Sequence, residues 1–185
     1  MTWDVDAAGA MLLVLLGAGL VAAGWAWTRA GSRVWTPVAL VLLVLALGWA
    51  GAEDPVLDGG AARTVLVGLA TSLAVAGGGP VTTLVFAVVD RGDRDDAAPG
   101  DDLEAAGALL RGGAWIGALE RGAVAATLVA GWPEGLAVVL ALKGLGRYHE
   151  LRNAGTGAVA ERFIIGTFTS VLWAATCAAV VVLAR

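Results

Sequence analysis

The stretch Ala7–Trp27, AAGAMLLVLLGAGLVAAGWAW, contains no charged residue. A bilayer's hydrocarbon core needs about 20 helical residues to cross, and this run supplies them. Asp4 and Asp6 precede it where a cleavable signal would carry basic residues, and it exceeds the usual apolar core of such a signal, so it reads as a retained membrane helix. Working outward, the first span extends over about 7–28, and five further stretches follow at 34–52, 62–89, 105–132, 133–148 and 157–184. The chain is 58% hydrophobic and 15% charged, with a mean hydropathy of +0.80, whereas a soluble domain is about 45–50% apolar and about 25% charged. The fold class expected is all-α, a polytopic membrane helix bundle of about six transmembrane helices.

Two of these spans carry a visible complication. Gly77, Gly78, Gly79 and Pro80 interrupt the third, and a proline after three glycines predicts a kink or break. The fifth, 133–148, rises only about 24 Å at 1.5 Å per residue, and crosses only if Lys143 and Arg147 reach toward the headgroups. Trp132-Pro133-Glu134 reads as the reversal that starts it. Seven of eight tryptophans (Trp3, Trp25, Trp27, Trp35, Trp49, Trp115 and Trp132) fall near span ends, as an interfacial aromatic belt requires. Trp173 alone sits mid-span.

Basic residues gather on alternate connections: Arg29 and Arg33, then Arg91, Arg94 and the nearby Arg111, then Arg147 and Arg152. The positive-inside rule therefore places these loops in the cytoplasm and both termini outside, in the cell (inner or plasma) membrane. The chain divides into a three-helix half (1–90), an acidic cytoplasmic loop (91–104) and a second three-helix half (105–185). Two three-span halves would lie in opposite orientations, but no sequence match between them is evident.

Ionisable groups inside a span cost about 2.5–3.5 kcal/mol each at its centre, so they mark candidate sites. Glu120, Arg121, Lys143, Arg147, Glu161 and Arg162 fall on three helices and share the predicted cytoplasmic third. One reading is a cytoplasm-facing polar pocket, with Glu120 paired to Lys143 or Arg147, and Arg121 or Arg162 open to an anionic headgroup or solute. The other is an interhelical ion-pair network that fixes helix register. On the last span, Gly166, Thr167, Ser170, Ala174 and Cys177 recur at helical spacing as a small-residue packing stripe. Glu161 points away from it and Arg162 lies nearer its edge. Gly113 and Gly117 form a GxxxG pair on span four, expected to pack against another helix, and Gly17, Ala22 and Gly24 give span one a similar face.

Three of these motifs together resemble the C-terminal region of a bacterial family of small polytopic membrane proteins classed as a domain of unknown function. The residues are Gly113, Ile116, Gly117, Leu119, Glu120 and Arg121; then Lys143 and Arg147; then Glu161, Ile165-Gly166-Thr167 and Ser170. The resemblance covers about the last 70 residues. Members of that family carry His and Asp in the membrane segments of a different N-terminal half; this chain has no histidine before His149, so that part does not transfer. The resemblance implies a membrane protein of unassigned activity and supplies no reaction.

Other chemistry is poorly provided for. There is no GxxxxGK[ST], HExxH or GxSxG motif, one histidine and one cysteine, so no cofactor or metal site is expected and the chain leans away from enzymes. A net charge of −4 and pI near 4.9 argue against nucleic-acid binding. Asp90, Asp93, Asp95, Asp96, Asp101, Asp102 and Glu104 read as a solvated loop. With the amphipathic run 103–111, that loop hints at a cytoplasmic partner. Two function classes stand: an assembly or accessory membrane protein, homo-oligomeric or bound to another membrane protein, and a small transporter or ion pathway. The Gly77–Pro80 segment bears on the second, because interrupted helices can expose backbone groups to ions.

Overall fold

A computed structural model describes residues 4–28, 31–58, 60–93, 113–153 and 157–185. Trp3, Arg29, Arg94, Arg111, the acidic residues 95–104 and the lead-in 103–111 lie outside the described residues. What is described is an all-α bundle of six helices: α1 (Ala7–Trp25), α2 (Ser32–Ala52), α3 (Gly60–Asp93), α4 (Gly113–Val129), α5 (Glu134–Asn153) and α6 (Gly157–Leu183). Four of them, α1, α2, α3 and α6, are long and apolar enough to cross a membrane.

Several expected boundaries shift, the fourth helix for instance ending at Val129 and not at 132. The fifth helix runs to Asn153 instead of ending near 148. The third is one continuous helix from Gly60 to Asp93 with Pro80 inside it, so of the kink or break expected at Gly77–Pro80 the break does not occur. Two-residue strands that the apolar pattern does not reveal also join the ends of α1 and α2. β1 (Asp4–Val5) pairs antiparallel with β2 (Leu57–Asp58). Asp6 fastens this end: its Oδ1 accepts from the Gly9 amide at 2.6 Å, capping α1, and from the Val56 amide at 3.2 Å.

The turn between α4 and α5 follows from one glycine. Gly131 has φ +74°, a conformation costly for residues with a Cβ. The Trp132 amide donates to Thr127 O at 2.8 Å and the Gly131 amide to Leu128 O at 3.1 Å, closing α4 in a Schellman motif just before Pro133.

α3 is the central helix, packed against α1, α2, α4 and α6, while α5 lies at the periphery on α4. The core mixes Leu12, Leu16, Leu43, Leu66, Leu73 and Val180 with many alanines, among them Ala46, Ala62, Ala74 and Ala174. Small side chains let helix backbones approach closely, the packing mode of helices in lipid. The outer surface is apolar as well, with Val14, Val21, Val44, Trp115 and Leu119 exposed. Midway along its length, between the exposed Glu134 and Arg152, α5 is arranged opposite to a helix on a soluble protein. Lys143 and Arg147 are half-buried, Lys143 against Glu120 of α4, while Leu142 and Leu145 are 65% and 70% exposed. A helix on a water-facing surface turns its charges outward.

Candidate functional site

The glycines and proline of α3 form a surface that receives three large side chains. A Cβ at Gly77 would overlap the Trp173 ring. One at Gly78 would overlap the Arg121 side chain, 2.6 Å from Nε, and one at Gly79 would lie 2.9 Å from Trp27 Cζ2. Each of these side chains then bonds a carbonyl just upstream. Trp173 Nε1 donates to Leu73 O at 3.1 Å, Arg121 to Val75 O, and Trp27 Nε1 to Ala76 O at 2.9 Å. Ala76 O is the acceptor that Pro80, lacking an N–H, leaves unused in the helix. Beyond the proline, the Thr82 and Thr83 hydroxyls donate to Gly78 O and Gly79 O. The one carbonyl that the proline leaves without its helical donor is thus taken up by the Trp27 side chain, just past the end of α1.

Arg121 sits at the centre of this arrangement. It is 5% exposed, and donates to Val75 O through Nε at 3.1 Å and Nη2 at 2.8 Å, and to Ser170 Oγ through Nη1 at 3.5 Å. Gly117, one turn earlier on α4, leaves room for the guanidinium: a Cβ there would be 3.1 Å from Nη1. The face of Gly117, expected to pack against another helix, is therefore occupied by its own helix's arginine. Gly17 and Gly24 of α1 have nothing within 4 Å of a Cβ, and it is Gly19 that packs inward, against Leu73 and Leu42.

The six candidate charges do not form one cluster. Glu120 and Lys143 make an ion pair between α4 and α5, each side chain 18% exposed. Arg121, next in sequence, turns to α3 and α6 instead. Arg162 pairs with Asp90 of α3 and lies 5.6 Å from the centre of the Phe86 ring. That second pair is eight residues along α6 from Ser170, about 12 Å away along the helix, where α3 runs past the end of α1. Gly166 meets Phe86 there, and Ser170 is buried. Glu161 is exposed and Arg147 half-buried. Of the two residues expected to stand open for a headgroup or solute, Arg121 is buried on a carbonyl, whereas Arg162 pairs with Asp90 and keeps 42% of its side chain exposed.

Sequence reasoning missed Asp90, which sits on α3 and not in the acidic loop, and the acceptors Leu73 O, Val75 O and Ala76 O. The aspartate was hidden in a run of acids, and backbone carbonyls carry no residue-type signal. Gly77–Pro80 was the available clue, since three glycines on a buried helix leave space that something bulky fills.

The space bounded by Glu120, Arg121, Lys143 and Ser170 is about 10 Å³, the size of one water site. Among the described residues, no three His, Cys, Asp or Glu side chains come together as a metal site requires. Charged groups buried inside a helix bundle, each bonded to a neighbouring helix, are what the site comprises. Comparison of the chain with family models, curated proteins and solved structures finds no match in any of the three.

Proposed function

We propose that the chain is a six-span integral protein of the cell membrane with both termini outside, acting as an assembly or accessory component, with its intramembrane charges holding the helices in register. One observation carries this reading. The charges inside the bundle are bonded across helix seams, Glu120 to Lys143 and Arg121 to Val75 O and Ser170 Oγ, and the space left beside them is about 10 Å³. A solute pathway needs far more room, and ions that line one need a hydrated surface. The inverted polarity of α5 supports its being embedded alongside the four apolar helices: at Leu142 and Leu145 it offers hydrocarbon, and at Lys143 charge to its neighbours.

We also propose that the C-terminal half belongs to the domain-of-unknown-function family it resembles. Supporting this, residues from the three separate motifs (Glu120 and Arg121, Lys143, Ser170) surround one space although they are distant in sequence.

The experiment is Glu120→Gln, with thermal unfolding in detergent and solute flux in liposomes measured on the same preparations. The accessory reading expects a lower melting temperature and no flux above empty liposomes in wild type. A wild-type flux abolished by the substitution, at an unchanged melting temperature, would establish the transporter reading instead.

A further inference from the structure

We draw no further inference here: the strongest candidate, the outward face of α1 along Val14, Gly17, Val21 and Gly24, with a shallow concavity beside Trp25 and Thr28, is an unpartnered stripe of small and apolar residues, and nothing in the structure shows what covers it.

Discussion

Arg121 and Val75 are joined by two hydrogen bonds, from Nε at 3.1 Å and from Nη2 at 2.8 Å to one backbone carbonyl. A charged side chain of α4 is thereby fixed to the middle of α3 without a carboxylate, and Gly78 makes the approach possible. The two N–H groups of a guanidinium fork suit a single acceptor, and the carbonyl keeps a second lone pair for it beyond its helical bond.

This relationship predicts a contrast between two glycines of one helix. A Cβ at Gly78 overlaps Arg121, while one at Gly68 meets nothing within 4 Å. Gly78→Ala should destabilise by about 1–3 kcal/mol, the usual range for overpacking. Gly68→Ala should stabilise by roughly 0.5–1 kcal/mol, because glycine is the poorer helix former. Thermal unfolding of both variants in detergent checks the pair. A loss at Gly68 equal to that at Gly78 would mean that α3 tolerates no side chain at either position, and that Arg121 is not the reason.

The Glu120–Lys143 pair predicts that removing one partner is worse than removing both. Each side chain is 18% exposed, so Glu120→Gln or Lys143→Met alone should cost somewhat less than the about 3–5 kcal/mol of a fully buried pair. The double replacement Glu120→Leu with Lys143→Leu should return to within about 1 kcal/mol of wild type, since the desolvation of both charges disappears with their attraction. A double-mutant cycle by chemical denaturation measures the difference. Additive losses would show that the two charges do not depend on each other.

Most of the helices were legible in the sequence because lipid imposes a length and a polarity on each one. Ala7–Trp25 and Ser32–Ala52 follow directly from uninterrupted apolar runs. Gly113–Val129 and Glu134–Asn153 are harder, as Glu120, Arg121, Lys143 and Arg147 dilute the signal. The pairing of Glu120 with Lys143 was within reach, one of two partners that spacing allowed. The destination of Arg121 was not, since a search among residue types looks for an acid and the acceptor is Val75 O. Trp173 illustrates the same limit. It stood out as the tryptophan away from the span ends, and its reason is local: a flat ring over Gly77 and an indole N–H on Leu73 O.

Asp90 and Arg162 predict a much smaller effect than the inner pair. Their side chains are 22% and 42% exposed, and an ion pair open to solvent contributes about 0–1 kcal/mol and weakens with salt. Arg162→Gln should leave the melting temperature within a degree or two of wild type at high salt and lower it modestly at low salt. A large, salt-independent loss would place this pair in an environment as dry as that of Arg121, and would extend the buried network along α6.

The sharpest prediction concerns Trp27 and Pro80, because it couples a residue on one helix to a missing proton on another. Pro80 has no N–H for Ala76 O, and Trp27 Nε1 donates to that oxygen at 2.9 Å. Trp27→Phe keeps a ring over Gly79 but removes the donor, leaving the carbonyl without a strong partner. It should cost about 1 kcal/mol, and more if the group is shut away from water. Pro80→Ala restores the helical donor, so in that background the carbonyl is satisfied from within α3 and Trp27→Phe should cost appreciably less. The two substitutions must therefore be non-additive, with a coupling of about 0.5–1 kcal/mol. Unfolding free energies of wild type, both single variants and the double variant give that term directly. Simple additivity would mean that the indole holds Gly79 by packing alone, and that the carbonyl freed by the proline is met by some other group.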